Sequence, residues 1–559
     1  MSIFYLMWEA LLGRSVLELS MSILLVASRE FELDSIFSSS SFFFASHDTF
    51  SFNQLAINFL PAFSAMTEPT ANGTATGINE AEAKNLRKKP PAPSVLSRPK
   101  KIAIIVLVSA MTFIGPMGAG IYFPSLAPLA KDLHVSLSQI SLTLTAYMLC
   151  QAIFPLFIAG MSDERGRRPV LIVSLVVCIA INIGLAKQTT YVGLMVLRCL
   201  QSCSSSSVSI VSMATVHDIL LPTERKDYRA YTSVGYSIAS VASPLIGGIL
   251  AQFFGWPSIF YFLAAVAGVG LLLVTTIFPE TCRAQVGNGT VPPKPWNRPI
   301  MKLFWPPSTS PPEYDTRIPP KRRSSILQTI QIALHKKAFL IMISQAVLFG
   351  GSVAILVTIP LVFTAKFHFN MIEAGATHVS YAIGGFTSRW IYAPLMGANI
   401  RRHKRLAGVG KEPQSGEPIV IRSERARLQI ALPTVFLGTA FVVAYGWALH
   451  SGIHVAGLIV ILFFVGNTST GARTQLAGLI TSLHLHQTAS ASAASSFFRF
   501  MCAAGAAAAV SPLIQAIGTG WMGSLIALIY LGAAGLLWVV YAHGHKWRPE
   551  GIQIASSDE

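Results

Sequence analysis

The chain has 559 residues, of which 52% are apolar and only 12% are charged. Soluble globular domains carry about 25% charged residues, so this composition excludes an ordinary soluble protein and favours a membrane protein. The net charge of +17 does not indicate nucleic-acid binding, because the basic residues lie in short segments between apolar runs. The six cysteines lack the spacing of zinc ligands, so we expect no metal site and no cofactor.

The N-terminal region does not fit the rest of the chain. Residues 1–65 are partly apolar, but they lack the basic start and the clean apolar run of a signal peptide. A polar segment typical of a cytoplasmic tail begins at Met66 and runs to residue 101. We therefore interpret residues 1–65 as a gene-model extension or a disordered segment, and an amphipathic segment on the membrane surface is the alternative.

Twelve apolar runs are long enough to cross a membrane, which takes about 20 residues. They predict an all-α polytopic protein with two six-helix bundles, at 102–281 and 338–541. A proline-rich cytoplasmic linker at 282–337 separates the bundles, and a short tail follows at 542–559. The predicted spans are 102–124, 138–159, 169–186, 190–212, 231–253, 258–278, 338–364, 374–397, 429–449, 454–479, 490–516 and 520–541.

The basic residues predict the orientation. If the segment from Lys84 to Lys101 lies in the cytoplasm, then 33 Lys and Arg fall on the cytoplasmic side. Only Lys131, Lys187 and Lys366 fall on the other side. Cytoplasmic loops of membrane proteins carry an excess of Lys and Arg, so we expect both termini to be cytoplasmic.

A short charged segment at 160–168 separates spans 2 and 3, and we call it the gating loop. We expect its glycines to allow tight backbone geometry and Asp163 to accept hydrogen bonds at a helix N-terminus. The arginines can pair with acidic groups or lipid phosphates; the alternative is that they only set the topology. Its candidate residues are Gly160, Asp163, Arg165, Gly166, Arg167 and Arg168.

The run from Asp163 to Arg168 resembles the signature between helices 2 and 3 of the major facilitator superfamily of secondary transporters. Other segments are similar to fungal twelve-span drug:proton antiporters, at 122–133, 256–281, 423–428 and 489–521. The resemblance implies two six-helix bundles around a central cavity. It also implies export of drugs, organic acids or secondary metabolites across the plasma membrane. In helices 4 and 5, small residues such as Ser202 and Ser243 replace glycines of the family's signatures.

Four arginines fall within the predicted spans, where charged residues are costly and usually face a cavity or a partner. Arg198 lies near the middle of span 4, with Gln201 one turn along. Arg473 and Arg499 lie toward the cytoplasmic side at similar depth, and Arg389 is close enough to the cytoplasm to snorkel. None of the predicted spans contains Asp or Glu, so we expect an electropositive interior that favours an anionic substrate. Carbonyl pairing is the structural alternative.

Further polar residues are candidates to line the cavity: Tyr147, Gln151, Asn467 and Gln475. Each of them alone is more often an interhelical hydrogen-bonding residue than a cavity residue. Pro244, Gly247 and Gly248 predict a bend in span 5.

Proton coupling is implied by the resemblance and has little support from the residues. It would have to use one of the residues near the membrane surfaces, Asp132, Asp163, Asp218, Glu373 or His378. The alternatives are a proton carried by the substrate or no coupling at all.

We therefore predict a secondary exporter of small organic molecules that works by alternating access, with proton-coupled multidrug or metabolite efflux as the first interpretation. Export of an anionic organic acid or secondary metabolite is the alternative, and a transporter-like sensor is a weaker one. We expect a monomer that contacts membrane lipids, with no nucleic-acid partner. A membrane-embedded enzyme is not indicated, because no catalytic cluster occurs at membrane depth.

Overall fold

The computed structural model describes residues 96–220, 224–287, 293–294, 297–301, 326–406, 423–484 and 488–544. Within these ranges the chain forms α-helices joined by short turns, and no β-strand occurs there. The predicted extension at 1–65 lies outside the described residues. So do most of the N-terminal tail, residues 302–325 of the linker and the C-terminal residues after 544.

Six long helices form the first bundle. Their bounds are α1 Arg98–Asp132, α2 Leu137–Arg165, α3 Arg167–Lys187, α4 Tyr191–Ile219, α5 Arg225–Phe254 and α6 Pro257–Thr276. Local sequence explains several helix starts. Ser136 and Gln139 form a reciprocal capping box at the start of α2, and the Thr190 side chain accepts a hydrogen bond from the Gly193 amide at the start of α4. These caps supply acceptors for backbone amides that have no partner within the helix.

The second bundle begins with α7 Lys336–Phe367, α8 Met371–Leu406, α9 Ser423–Ser451 and α10 Val455–Leu483. A continuous helical run, Thr488–His543, follows. Inside it, Gly518 has φ 76° and ψ 171°, which no helix accommodates, so the chain turns there. We therefore divide the run into α11 at 488–517 and α12 at 519–543.

The twelve predicted spans correspond to these twelve helices. Ten helical stretches of the described residues are long and apolar enough to cross a membrane. The last has 54 residues, about 80 Å as one helix, which is far more than a bilayer needs. The turn at Gly518 makes it two crossings. The helix α8 has 36 residues and is too polar to stand out by hydropathy, but it is long enough to cross.

Basic residues mark one end of the molecule. We call this end, where α1 starts at Arg98 and α7 starts at Lys336, the basic face, and the other end the opposite face. At the basic face, Lys101 of α1 forms an ion pair of 2.8 Å with Glu224, just before α5. Lys337 of α7 pairs with Glu424 of α9. Each bundle therefore has its first helix tied to a later helix by one buried lysine.

Candidate functional site

At the basic face of the first bundle, the buried carboxylate of Glu280 holds the start of α3. Glu280 Oε1 accepts from the backbone N–H of Arg167 at 2.9 Å, and Oε2 accepts from that of Arg168 at 3.2 Å. Asn297 Nδ2 donates to Oε2 at 2.8 Å, and the N–H groups of Thr281 and Cys282 donate to Oε1. A carboxylate at a helix N-terminus satisfies orphan donors and interacts favourably with the helix dipole. Glu280 thus fastens the exit of α6 to α3.

The Arg167 side chain continues this network. Its guanidinium donates to Asp218 of α4 at 2.8 Å and to Ser162 of α2 at 2.6 Å, and it pairs with Asp163 at 2.6 Å. Arg168 Nη2 donates to the Thr275 carbonyl of α6 at 2.9 Å. The two arginines therefore connect α2, α4 and α6 to the start of α3.

The structure corrects several expectations for the gating loop. Residues 160–165 are the last turns of α2, so Gly160 and Asp163 lie in a helix, and Gly166 alone connects α2 to α3. The φ of Gly166 is 101°, and a Cβ there would lie 2.6 Å from Glu280 Oε2, so only glycine fits. Glu280 occupies the helix N-terminus that we expected Asp163 to occupy. Arg165 is exposed at the basic face.

The sequence did not indicate this role of Glu280, because Arg167 and Arg168 lie more than 110 residues away from it along the chain. The thiol of Cys282 lies next to the same site. Cys282 is 2% exposed, and its Sγ lies 3.5 Å from the Asp163 carbonyl. Burial is the main factor that raises the pKa of Cys282, to about 11, while the positive charge of Arg167 acts in the opposite direction.

Arg198 is enclosed within the first bundle. Its Cζ lies 4.0 Å from the Tyr122 ring centroid and 4.4 Å from that of Tyr147, so the guanidinium is sandwiched by two aromatic rings. Nη1 donates to Gln201 Oε1 at 2.5 Å and to the Gly118 carbonyl at 3.2 Å. Gln201 therefore lies on the same face of α4 as Arg198. Arg198 lies seven residues from the start of α4, about 10 Å from that end and not near the middle.

Arg473 of α10 and Arg499 of α11 meet at one aromatic ring. Their Cζ atoms lie 5.1 Å and 5.6 Å from the Phe349 centroid. Arg473 donates to the Ser469 carbonyl and to Thr470 Oγ1, and Arg499 donates to Ser496 Oγ. Neither guanidinium pairs with a carboxylate among the described residues. The expectation that the two arginines lie at similar depth is confirmed.

The other polar candidates differ in their surroundings. Tyr147 is fully buried and its hydroxyl lies 3.1 Å from Ser205 Oγ, whereas Gln151 is half-buried on the same helix. Asn467 Nδ2 donates to the Gly384 carbonyl at 3.1 Å, so it makes an interhelical hydrogen bond between α10 and α8. The buried Gln475 amide has no hydrogen-bond partner among the described residues.

Pro244, Gly247 and Gly248, where we predicted a bend, lie in a helix that runs without interruption to Phe254. The glycines allow close approach between helices. A Cβ at Gly247 would lie 2.3 Å from the Ile121 carbonyl oxygen of α1. A Cβ at Gly248 would lie 2.4 Å from the carbonyl oxygen of Met371, at the start of α8. The second approach joins the two bundles.

Further contacts between the bundles also lie toward the opposite face. Ser138 Oγ of α2 lies 2.9 Å from Ser511 Oγ of α11, and the backbone N–H of Ile372 donates to Gln252 Oε1 at 3.2 Å. The buried His378 ring of α8 stacks on Phe123 of α1 with a centroid separation of 5.3 Å. These contacts hold the bundles together at the opposite face.

The π-helical turn in α7 explains the position of His378. Pro360 has no N–H, so it cannot donate to the Leu356 carbonyl four residues earlier. His378 Nε2 lies 3.1 Å from that carbonyl oxygen, and Nδ1 lies 2.8 Å from the Ala374 carbonyl oxygen. In the tautomer that carries its proton on Nε2, His378 donates to this carbonyl in place of the N–H that Pro360 lacks.

Comparisons with known proteins agree with this architecture. A family model described as Major Facilitator Superfamily matches residues 108–510. The chain is 34% identical to the MFS-type transporter clz19 of Cochliobolus lunatus, over 88% of this chain and 94% of that protein. It is 33% identical to the MFS-type transporter tstD of Talaromyces stipitatus, over 83% and 85%. It is 28% identical to Citrate exporter 1 of Aspergillus niger, over 82% and 89%.

The twelve-helix architecture, the superfamily match over most of the chain and the transporter relatives lead to one assignment. The protein is a non-enzymatic, integral membrane transporter of small organic substrates, and it belongs to the Major Facilitator Superfamily.

Proposed function

We propose that this transporter exports an anionic small organic molecule, such as a carboxylic acid, by alternating access. The observation that carries the proposal is the pair of guanidiniums at Phe349, 5.1 Å and 5.6 Å from its ring centroid, with no carboxylate partner among the described residues. Two like charges held this close repel each other in a low-dielectric interior. A bound carboxylate relieves that repulsion and accepts hydrogen bonds from either guanidinium.

The depth of the pair supports this assignment. Arg473 lies ten residues before the end of α10, and Arg499 lies eleven residues after the start of α11. Both are therefore about 15 Å from the basic-face ends of their helices, which is half the thickness of a bilayer core. Tyr236 of α5 is half exposed and is an electrostatic neighbour of Arg499 from the first bundle. Such transporters hold their substrates near the bilayer midplane, so a position this far from the helix ends supports a substrate contact.

We assign Arg198 a different role from the substrate contact that the sequence suggested. The two tyrosine rings and the Gly118 carbonyl leave it no exposed surface, so it supports the packing of α1, α2 and α4. The aromatic faces replace part of the hydration that a buried cation loses. Arg198 therefore stabilises the first bundle and does not contact the substrate.

Export is the direction we propose, with both termini in the cytoplasm and the protein in the plasma membrane. The excess of Lys and Arg at the basic face supports the orientation. One relative is named as a citrate exporter, which supports both the direction and the acidic substrate. We further propose that the Glu280–Arg167 network acts as the gate at the basic face, since it joins four helices there.

The experiment is substrate efflux from proteoliposomes that contain the wild-type protein, Arg499→Gln, Arg473→Gln or Arg389→Gln. The last variant removes an arginine of α8 and serves as the control for loss of one charge. Mono-, di- and tricarboxylates are compared with cationic drugs, with and without a proton uncoupler. We expect carboxylate efflux to fall about tenfold or more in the Arg499 and Arg473 variants, since each loses a charge-assisted hydrogen bond.

Efflux of cationic drugs that is equal in all four proteins would contradict the anionic substrate and favour multidrug export. Carboxylate efflux that is insensitive to the uncoupler would contradict proton coupling. It would not contradict the proposal of an anionic substrate.

A further inference from the structure

A groove between α8 and α9 opens at the basic face, outside the substrate pathway proposed above. It has a volume of about 520 Å³ and is lined by Leu395, Ala398, Asn399, Arg402, Gln429 and Ile430. Its basic-face end is polar, whereas the part nearer the membrane centre is lined by apolar residues. Such a graded lining suits a molecule with a polar head and an apolar body.

The polar end is organised by hydrogen bonds. Asn399 Nδ2 donates to the Ala426 carbonyl at 2.7 Å and to Gln429 Oε1 at 3.1 Å. His403 Nε2 lies 2.9 Å from the same Gln429 oxygen. The exposed Arg402 makes no hydrogen bond or ion pair with another described residue, so its guanidinium is available to a ligand.

Among the described residues, arginines outnumber carboxylates around this end. Arg401, Arg402 and Arg405 lie on α8, and Arg425 lies on α9 with its Cζ 5.8 Å from the Tyr541 ring. The carboxylate at the start of α9, Glu424, is already paired with Lys337. The ligand that complements this end is therefore an anion. Basic pockets between membrane helices on the cytoplasmic side bind anionic lipid head groups.

An apolar stripe continues the groove toward the membrane centre. Ile391, Leu395 and Ala398 precede Arg402 at intervals of four, three and four residues, so all four lie on one face of α8. Ile391 is 47% exposed and Leu395 is 51% exposed. From Arg402 to Ile391 the stripe is about 16 Å long, which matches half the thickness of a bilayer core.

We propose that this groove binds one anionic phospholipid, with its phosphate at Arg402 and an acyl chain along the stripe of α8. The length of the stripe and the positive polar end together favour a phospholipid over a soluble anion. The lipid would contact both α8 and α9 and would hold these two helices together at the basic face.

The test is native mass spectrometry of the full chain with phosphatidylserine or phosphatidylcholine of equal chain length. We expect the wild-type protein to retain one more phosphatidylserine than phosphatidylcholine. Arg402→Gln should reduce that retention about tenfold, because it removes a charge-assisted hydrogen bond. Arg401→Gln is the matched control, since it removes the same charge one residue away, outside the groove lining, and should retain the lipid.

Leu395→Trp provides a second variant that keeps every charge and fills the groove, and it should also lose the lipid. Equal retention by Arg402→Gln and Arg401→Gln would overturn the site. Equal retention of both lipids by the wild-type protein would overturn the anionic preference. Displacement of the lipid by millimolar glycerophosphoserine, which has no acyl chains, would assign the site to a soluble anion. None of these readouts depends on transport.

Discussion

Replacement of Glu280 by Gln tests whether this carboxylate holds the basic face of the first bundle. Gln keeps one acceptor oxygen. Its NH₂ group takes the place of the second carboxylate oxygen and therefore faces the N–H groups that donated to that oxygen. In the less costly rotamer the NH₂ replaces Oε2, so the Arg168 amide and Asn297 Nδ2 lose their acceptor. Each buried donor without a partner costs about 1–3 kcal/mol, so for two donors we expect the closed arrangement to lose about 2–6 kcal/mol.

The assay is maleimide labelling of Cys282, measured on its own peptide by mass spectrometry. Cys282 is buried and the pKa of its thiol is raised to about 11, so the closed site reacts slowly at pH 7.5. A loss of 2 kcal/mol increases the open population about 30-fold, and the labelling rate should increase by a similar factor. In the open site the thiol pKa returns toward 8.5, which increases the rate further.

The control is Glu164→Gln, which changes an exposed carboxylate at the end of α2 and should leave the labelling rate unchanged. A labelling rate in Glu280→Gln equal to that of the wild-type protein, at equal expression, would refute the assignment of Glu280 as the residue that fastens α3.

Three other predictions concern the rest of the molecule. His378→Leu removes the ring nitrogens within hydrogen-bonding distance of the Leu356 and Ala374 carbonyls, which should cost about 1–3 kcal/mol and lower the thermal midpoint by a few degrees, and His378→Gln should restore part of the loss. Gly248→Val places a side chain against the carbonyl at the start of α8, so spin labels on the two bundles should move apart at the opposite face; an unchanged distance contradicts the contact. Burial is the main factor that lowers the pKa of His484, and the charge of the nearby His335 lowers it further. The unfolded chain therefore binds more protons than the folded one, and stability should fall as pH decreases below about 6.5. His484→Gln should remove that part of the pH dependence.

The sequence allowed the helices and their order to be predicted, because apolar length and the placement of Lys and Arg respond to the membrane itself. The turn at Gly518 was recognisable for a similar reason, since glycine interrupts two adjacent apolar runs. The end of α2 was predicted wrongly. Residues 160–165 are too polar for a span, yet they continue the helix beyond the apolar region until Gly166 stops it.

Partners that lie on the same helix could be predicted from their spacing along the chain. Arg198 and Gln201 are three residues apart, so the helical period alone brings them together. The rings of Tyr122 and Tyr147, which enclose Arg198, lie on α1 and α2, and no spacing along the chain indicates them. Their packing decides that Arg198 is enclosed, and packing between helices is what a single sequence does not report.

The single-residue connection at Gly166 has a mechanical consequence. Because Glu280 also fastens α3 to the exit of α6, the gate that we propose requires α2, α3 and α6 to tilt together at the basic face. The helix α2 has 29 residues and is about 43 Å long, so each degree of tilt about its opposite-face end moves Gly166 by about 0.75 Å. A rotation of about 15° carries the basic end through about 11 Å, the diameter of one helix with its side chains. In the proposed gate, a tilt that moves Ser138 from Ser511 by only a few ångströms would therefore open or close a helix-wide passage at the other membrane surface.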